Sequence, residues 1–272
     1  MREQLSAWRK QGRSIALAPT MGNLHAGHLS LVKKAQQIAD RTVATIFVNP
    51  AQFVQREDYA AYPRTFEKDR KALEASGADV LFHPEVHEMY PDGTEKQTQV
   101  TVAGLDDIFC GKFRPGHFAG VATVVTKLFI ITEPDVALFG EKDYQQLLVI
   151  RRLVRDLNLP VAIVGMPTVR EDDGLALSSR NQYLVATERR TAPLLYRSLL
   201  RVSEEIKKGC TDYARLECDA IAHLSQAGFR PEYLSIRRAS DLGEAGSDKD
   251  LIVLAAAWLG RTRLIDNVLV GR

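Results

Sequence analysis

The chain has 272 residues, of which 45% are apolar and 26% are charged, and this is the ordinary composition of a globular protein. The composition excludes a disordered, collagen-like or low-complexity chain, and the length suits one large domain or one domain with a small appendage. The formal charge of +2 gives no global field that would indicate nucleic acid or a strongly basic partner.

The sequence carries no signal for a membrane, for export or for disulfides. Its longest apolar runs, such as 251–259, reach about half the length of a membrane-spanning helix. The first residues contain no apolar segment of the kind that forms a secretory signal. The three cysteines, Cys110, Cys210 and Cys218, are scattered and odd in number, which indicates reduced thiols. We therefore expect a cytoplasmic protein that acts without a membrane or nucleic acid.

The first half of the chain alternates short apolar runs with amphipathic stretches. Strands are predicted at 15–18 (ending at Pro19), 42–48, 80–82, 136–139 and 161–164. Helices are predicted at 29–38, 65–75, 121–131 and 143–157. Continuous apolar strands between helices are typical of a parallel sheet covered on both faces. The predicted fold class is therefore α/β, with a Rossmann-like, doubly wound parallel sheet.

The last hundred residues have a different pattern, with helices first and strands afterwards. Helices are predicted at 187–208 and 212–226, and strands at 233–236, 251–256 and 263–265. Pro193 inside the first helix either kinks it or marks its true first turn. Residues 239–246 are predicted to form a loop. We expect a smaller C-terminal α+β domain, so that the chain divides into residues 1–168 and 169–272.

A loop with two glycines and two histidines follows the first predicted strand. Gly22 and Gly27 allow close approach of a ligand to the backbone, and a helix begins just beyond them. The N–H groups of a helix N-terminus bind phosphate, and His25 and His28 can reach the same side. The alternatives are a glycine-containing turn with two surface histidines, or a metal pair for which no convincing third ligand is found.

Two further polar groups stand at predicted element ends. Asn49 and Gln52 follow the second strand and suit an uncharged site for a hydroxy acid, although an Asn-Pro turn is the simpler explanation. Arg114 and His117 precede a helix and suit an anion, or they belong to an ordinary turn and helix start.

The fourth strand and the presumed domain boundary are each followed by charged or hydroxyl groups. Lys142 suits phosphate, Gln146 faces the same side as Asp143, and Asp143 alternatively caps the next helix. Residues 177–180 offer two hydroxyls and a guanidinium, but the carboxylates of 171–173 also fit a solvated loop. No nucleophile motif is found, which favours chemistry by positioning and electrostatics.

Taken together, the motifs resemble those of the pantoate–β-alanine ligase family, within the HxGH nucleotidyltransferase superfamily. The resemblance covers nearly the whole chain. The matching segments are 19–28, 47–50, 52–53, 62–65, 114–118, 139–143, 173–181, 256–260 and 263–267. It implies that ATP and (R)-pantoate form pantoyl adenylate and pyrophosphate, after which β-alanine displaces AMP to give pantothenate.

The resemblance also implies a set of site residues. The expected ATP-binding residues are Met21, Gly22, Asn23, Leu24, His25, Ala26, Gly27, His28, Gly140, Glu141, Lys142, Asp143, Val169, Leu177, Ser178, Ser179 and Arg180. The expected catalytic residues are His25, His28, Lys142, Ser178, Ser179 and Arg180, with His28 as proton donor. Pantoate and β-alanine are expected to contact Gln52, Gln146, Asn49, Arg114 and His117. The family uses Mg²⁺, held largely by ATP, and is generally dimeric, so a homodimer is expected.

Three alternatives remain open from the sequence. Another small nucleotidyltransferase, such as a cytidylyl- or phosphopantetheine adenylyltransferase, shares the HxGH turn but transfers the nucleotide to a phosphate. A non-catalytic nucleotide-binding module would bind ATP without releasing pyrophosphate. An RNA-binding synthetase fragment is disfavoured by the near-neutral charge.

Overall fold

The computed structural model describes residues 1–53, 59–246 and 250–271. The chain divides into two compact units, and each is described by itself. The first unit comprises Met1–Glu141 and Gln146–Pro167, and the second comprises Lys142–Gln145 and Thr168–Arg272.

The first unit is built on a five-stranded sheet. Its strands are β1 (Ile15–Thr20), β2 (Arg41–Ile46), β3 (Val80–Phe82), β4 (Val136–Gly140) and β5 (Ala162–Met166). All four neighbouring pairs are parallel, and the strand order is β3-β2-β1-β4-β5. This order reverses direction between β1 and β4, the place where doubly wound sheets bind their ligands. The predicted Rossmann-like fold is confirmed.

Seven helices of the described residues accompany this sheet along the chain. They are α1 (Arg2–Lys10), α2 (Ala26–Ile38), α3 (Phe66–Ala75), α4 (Val86–Met89), α5 (Cys110–Phe113), α6 (His117–Thr132) and α7 (Tyr144–Asp156). The sequence prediction missed α1, because only Leu5 and Trp8 of its nine residues are buried and most of the others are polar. Arg9 ties this helix to the end of α6 by donating to the carbonyl of Thr132 at 2.7 Å.

The core of the first unit explains why its strands are continuously apolar. The four residues Ile15 to Ala18 of β1 have no exposed surface, because helices cover both faces of the sheet. On one face, Ala16 and Ala18 pack with Leu31, Val32 and Ala35 of α2. The small alanines let the helix approach the sheet closely, and this approach places the N-terminus of α2 beside the end of β1.

Strand β1 is longer than predicted, since it continues through Pro19 to Thr20. The backbone N–H of Thr20 points toward β2, where it donates to Oγ1 of Thr45 at 3.3 Å. Neighbouring residues of a strand direct their N–H groups to opposite sides, so the position where Pro19 lacks an N–H faces β4. The pairing of β1 with β4 includes only Ala16 and Leu17 of β1. Proline is tolerated in a strand where no partner needs its N–H.

The second unit is α+β, as predicted. Its three antiparallel strands are β6 (Phe229–Arg238), β7 (Leu251–Leu259) and β8 (Thr262–Leu269), in the order β6-β7-β8. Its helices are α8 (Ala186–Thr191), α9 (Leu194–Lys207) and α10 (Tyr213–Gln226). Leu199 of α9, Leu224 of α10 and Val253 of β7 have no exposed surface and centre the core. All three strands are longer than predicted. Polar residues such as Arg230, Glu232 and Asp266 interrupt the apolar pattern of β6 and β8, whereas β7 continues through the apolar residues 257–259.

The prediction of one helix over 187–208 is wrong. Helix α8 ends at Thr191, and Pro193 stands at the N-cap of α9. Proline cannot donate to the preceding turn and clashes with its carbonyl, so it separates the two helices. Of the two roles considered for Pro193, the mark of a first turn is the one that the structure confirms.

Within the described residues, no helix is long and apolar enough to cross a membrane. The three cysteines are free thiols. Cys110 is buried, Cys210 is half-buried and Cys218 is exposed.

Candidate active site

The loop after β1 has an unusual backbone. Gly22 has a φ of +82° and Asn23 a φ of +49°, so two successive residues lie in the left-handed region. The N–H of Gly22 donates to Oγ1 of Thr20 at 3.2 Å, which ties the turn to the strand end. The loop then enters α2 at Ala26. The predicted phosphate loop therefore lies at the carboxyl end of β1 and the N-terminus of a 13-residue helix.

His25 and His28 form a reciprocal cap at this N-terminus. Nδ1 of His25 accepts from the N–H of Gly27 at 3.2 Å, and Nδ1 of His28 accepts from the N–H of His25 at 3.4 Å. The ring centroids are 4.1 Å apart. Because both Nδ1 atoms accept, each neutral ring carries its proton on Nε2, which makes each Nε2–H a donor. The metal-pair alternative finds no support, because the described residues contain no cluster of three or more His, Cys, Asp or Glu.

Asp69 holds the same loop and was given no role by the sequence analysis. Its carboxylate accepts from the N–H of Asn23 at 2.8 Å and from the N–H of Leu24 at 2.9 Å. It lies in α3 and is 1% exposed. The missed signal is its spacing, because Asp69 and Leu73 are the two buried residues of α3 and lie four residues apart.

The amide pair after β2 is buried and internally bonded. Asn49 donates from Nδ2 to Oε1 of Gln52 at 3.1 Å and to the carbonyl of Gly120 at 3.1 Å. Its Oδ1 accepts from the N–H of Ala51 at 3.2 Å and from the hydroxyl of Tyr90 at 2.7 Å. All four hydrogen-bonding positions of Asn49 are thus used within the protein. Asn49 orients Gln52, whose Nε2 lies 2.9 Å from the sulfur of Met21.

Tyr90 completes this amide network from a buried position. Burial raises the pKa of its phenol well above the ordinary value, so the hydroxyl keeps its proton and donates to Asn49. The ammonium of Lys127 lies 5.1 Å from the centre of the Tyr90 ring. Tyr90 was not predicted from the sequence, because it follows Asn49 by 41 positions and no local pattern connects the two residues.

Arg114 and His117 meet each other at the start of α6. Nη1 of Arg114 lies 2.8 Å from Nε2 of His117, and Nδ1 of His117 lies 2.7 Å from the carbonyl of Gln52. Because arginine only donates, Nε2 of His117 accepts and Nδ1 carries the proton. The structure therefore brings Arg114 and His117 to the backbone of Gln52, where they support its position.

A glycine permits the close packing of α6 on this segment. Residues Pro50–Gln52 form a 3-10 helix that packs against α6. A Cβ on Gly120 would lie only 2.1 Å from the carbonyl oxygen of Ala51, so no side chain fits there.

Gln146 lies near the start of α7 and is half-buried, and its side chain makes no hydrogen bond with the described residues.

In the second unit, residues 169–177 form a tight turn that brings two predicted ATP contacts together. The N–H of Leu177 donates to the carbonyl of Val169 at 2.9 Å, and Arg170 pairs with Ala176 in an antiparallel bridge. Arg189 fixes the turn by pairing with Glu171 at 2.9 Å and with Asp173 at 2.5 Å. The Arg189 guanidinium holds the pKa of Asp173 below its ordinary value, chiefly through the hydrogen bond between them.

Residues 178–180 lie at the end of this turn. Ser178 caps a 3-10 helix, Ser179–Tyr183, by accepting from the N–H of Arg180 at 3.3 Å. Asn181 donates to the carbonyl of Ala176 at 3.0 Å and fastens the helix to the turn. The guanidinium of Arg180 is half-buried and makes no ion pair with the described part of the chain. This arrangement leaves its charge available for an anion.

The last strand of the second unit, β8, holds the backbone of Lys142 in position. Nδ2 of Asn267 donates to the carbonyl of Lys142 at 3.0 Å. The carboxylate of the preceding residue, Asp266, accepts hydrogen bonds from Nη1 and Nη2 of Arg170 at 2.6 and 2.8 Å. The Lys142 ammonium is held only loosely by Asp143, at 3.6 Å. Asp143 ends the 3-10 helix Glu141–Asp143, and α7 follows directly.

These features define a class of protein. A parallel sheet whose ligand loop joins the end of β1 to a helix N-terminus, with imidazole donors in that loop, is characteristic of α/β nucleotide-binding proteins. A buried pair of uncharged amides, Asn49 and Gln52, lies at the end of β2.

Comparison with known proteins specifies the family. The pantoate-beta-alanine ligase model matches residues 1–269. Pantothenate synthetase from Pseudomonas putida (strain W619) is 55% identical over 271 residues, which cover 99% of this chain and 94% of that protein. Pantothenate synthetase from Azotobacter vinelandii (strain DJ) is 56% identical over 271 residues, which cover 99% of this chain and 96% of that protein.

Solved structures agree with the sequence relatives. Pantothenate synthetase from Thermus thermophilus superposes with a TM-score of 0.90 at 46% identity, covering 97% of this chain and 96% of that chain. A pantoate–β-alanine ligase from Francisella tularensis, complexed with β-γ ATP and β-alanine, superposes with a TM-score of 0.82 at 35% identity, covering 99% of this chain and 96% of that chain.

The chain belongs to the pantoate–β-alanine ligase family, whose reaction is the ATP-dependent joining of pantoate to β-alanine. The family resemblance found in the motifs, and with it the prediction of an enzyme of the ligase class, is confirmed.

Proposed function

We propose that the chain condenses (R)-pantoate with β-alanine through pantoyl adenylate, with the expected site residues in the roles that follow. The observation that carries this proposal is the cap formed by His25 and His28. It holds two Nε2–H donors at the N-terminus of α2, at the carboxyl end of β1. Donors fixed before the reaction stabilise charge that develops on phosphate without reorganising.

In the first step, a carboxylate oxygen of pantoate attacks the α-phosphorus of ATP and pyrophosphate leaves. His28 donates from Nε2 to the departing phosphate oxygens, and His25 stabilises the same charge. The backbone of Met21, Gly22, Asn23 and Leu24, with Ala26 and Gly27, lines the nucleotide. The left-handed turn at Gly22 and Asn23 supports this role, because it leads the chain from the carboxyl end of β1 into the N-terminus of α2, where helix N–H groups can receive phosphate.

Pantoate binds through two glutamines in this proposal. The side-chain amide of Gln146 has no hydrogen bond within the described residues, which suits a group that receives a substrate hydroxyl or carboxylate. Gln52 contacts pantoate and then β-alanine, while Asn49, Arg114 and His117 act through it. Asn49 is saturated by protein partners, and this favours a positioning role over the direct contact first expected of it.

The second unit supplies cationic and hydroxyl groups for the triphosphate. Lys142 and Arg180 carry the charge, since neither is engaged in a tight ion pair among the described residues. Ser178 and Ser179 add hydroxyls beside Arg180. Gly140, Glu141 and Asp143 contact the nucleotide, Asp143 at the ribose, and Val169 and Leu177 contact the adenine side through the backbone. In this proposal residues 1–168 form the nucleotide- and pantoate-binding domain, and residues 169–272 form a smaller lid domain.

In the second step, the amine of β-alanine attacks the acyl carbon of pantoyl adenylate, and AMP leaves with the bonding electrons. Adenylation is required because a free carboxylate has a poor leaving group. A closed site protects the adenylate from water.

The remaining assignments concern the metal, the assembly and the compartment. The absence of a three-residue acidic or histidine cluster from the described residues fits a Mg²⁺ ion held by the triphosphate and water. Bound in this way, Mg²⁺ would neutralise phosphate charge. A homodimer and a cytoplasmic location complete the proposal, supported by the family and by the free cysteines.

Isotope exchange between pyrophosphate and ATP tests the proposal. Without β-alanine, exchange should occur only if (R)-pantoate is present. Addition of β-alanine should then divert the flux to AMP and pantothenate. ATP binding without exchange at any pantoate concentration would contradict the proposed reaction, and would favour a different acceptor or a silent nucleotide-binding protein.

A further inference from the structure

We propose that Asp69 is a positioning residue for the ATP-binding loop, and that its carboxylate sets the geometry in which residues 22–28 receive phosphate. The proposal rests on the proposed function in one respect, since it takes residues 21–28 to be the nucleotide loop. Asp69 itself lies outside that loop, 46 residues after Asn23, and is not among the site residues expected from the sequence.

The carboxylate grips the loop at two consecutive backbone positions. Oδ2 accepts from the N–H of Asn23 at 2.8 Å, and Oδ1 accepts from the N–H of Leu24 at 2.9 Å. Oδ2 also accepts from the hydroxyl of Thr65 at 2.9 Å. Three donors therefore converge on one buried carboxylate, and hydrogen bonds to a charged acceptor are the stronger kind.

The backbone conformation of the loop is one that such hydrogen bonds stabilise. Gly22 and Asn23 both have positive φ, and residues in this region persist only where the surroundings hold them. A Cβ on Gly22 would lie 3.1 Å from Oδ2 of Asp69 and 3.1 Å from Cγ2 of Ile46. The carboxylate thus fits closely against the one residue in the turn that lacks a side chain.

One side of the turn borders a cavity. Met21 and Gly22 border a cavity of about 230 Å³, which Thr65, Phe66 and Asp69 border as well. The loop therefore lies partly over open space. Hydrogen bonds to Asp69 connect α3 to the loop at Asn23 and Leu24, the two residues directly before the histidine that caps α2.

The chemistry of a carboxylate distinguishes Asp69 from an ordinary polar spacer. An ionised carboxylate only accepts hydrogen bonds, whereas an amide of the same shape also donates. Asp69→Asn would turn an N–H toward a backbone N–H or toward the Thr65 hydroxyl. Thr65→Val removes one donor and Thr65→Ser keeps it. Glu74→Gln is the matched control, because Glu74 lies on the same helix in an exposed pair with Arg70.

The experiment measures the dissociation constant of ATP by calorimetry, together with KM for ATP, KM for pantoate and kcat, for the full chain and these variants. We expect Asp69→Asn to weaken ATP binding by about 10- to 100-fold, the effect of losing a hydrogen bond to a charged group. Thr65→Val should weaken it less, and Thr65→Ser and Glu74→Gln should bind as the unsubstituted chain does. KM for pantoate should stay within about twofold in all four variants, because its glutamines are not held by Asp69.

Unchanged ATP affinity in a folded Asp69→Asn variant would overturn the proposal, even if its melting temperature falls. If that variant does not fold, equal ATP affinity of Thr65→Val and Thr65→Ser overturns it instead. ATP binding without pantoate-dependent exchange in the unsubstituted chain would contradict the proposed ligase function, while the affinity comparison would still decide the role of Asp69. A chain that binds no ATP at all would overturn both.

Discussion

The chemistry of the histidines in this site depends on which ring nitrogen is already hydrogen-bonded to the backbone. His25 and His28 each use Nδ1 to accept a backbone N–H, so the cap of α2 also selects the tautomer. His117 has the opposite arrangement, because Arg114 donates to its Nε2 and leaves Nδ1 to donate to Gln52. In His25 and His28 the ring nitrogen that carries the proton is Nε2, whereas in His117 it is Nδ1, which donates to the backbone of Gln52.

Removal of His28 tests this interpretation at the residue scale. We expect His28→Ala to lower kcat by about 10²–10³-fold, the usual effect of deleting one preorganised donor to developing charge. His223→Ala is the control, because His223 is an exposed histidine on α10. The measurement is steady-state turnover with both substrates saturating. A kcat within about threefold of the unsubstituted chain would remove His28 from the proposed role.

A few buried contacts between helices, strands and turns hold the candidate site residues in position. The 3-10 helix Pro50–Gln52 lies so close to α6 that only glycine fits at position 120. In the second unit, β8 reaches the turn of residues 169–177 through Arg170 and Asp266. Their guanidinium and carboxylate form a two-point ion pair, with the side chain of Asp266 only 3% exposed. The Arg170 guanidinium also lies 3.5 Å from the ring centre of Tyr196.

Breaking this ion pair should cost stability as well as activity. We expect Asp266→Asn to lower the free energy of unfolding by about 3 kcal/mol, because a largely buried guanidinium loses its counter-charge. Glu205→Gln, which breaks an exposed pair with Lys208, should change it by less than about 1 kcal/mol. Denaturant unfolding of both variants measures the difference. Equal effects of the two substitutions would contradict the view that burial makes the Arg170–Asp266 pair important.

At the scale of the whole molecule, two compact units supply the proposed nucleotide contacts. The histidine loop belongs to the first unit, and Lys142 and residues 178–180 belong to the second. Lys142–Gln145 go with the second unit although they follow β4 directly, because Asn267 and the carbonyl of Ala239 hold this short segment.

ATP should stabilise the folded chain, because a ligand that binds only the native state shifts the folding equilibrium toward it. At about 100 times its dissociation constant, ATP should raise the free energy of unfolding by about 2.7 kcal/mol. Hydrogen exchange followed by mass spectrometry should show added protection in residues 20–28 and also in residues 169–180. Sodium chloride at equal ionic strength is the control. Protection confined to one of the two segments would contradict the proposal that both units contribute nucleotide contacts.

The alternation of strands and helices, and the chemical character of the residues at their ends, could be predicted from the sequence. Apolar runs located all five parallel strands, because a strand covered on both faces is largely apolar, although β2 also buries Thr42 and Thr45. The glycine and histidine loop was located because its turn and its donors are neighbours in the chain. These features are encoded locally, and local spacing is what a sequence displays.

The distant residues that hold those ends in place are visible only in the folded chain. Asp69 reaches the loop across 46 residues, Tyr90 reaches Asn49 across 41, and Asp266 reaches Arg170 across 96. Helix α1 likewise depends on its packing, since only Leu5 and Trp8 of its nine residues are buried. A buried polar side chain is satisfied by one particular partner, and that partner is chosen by the fold, because folding alone brings the two groups within hydrogen-bonding distance.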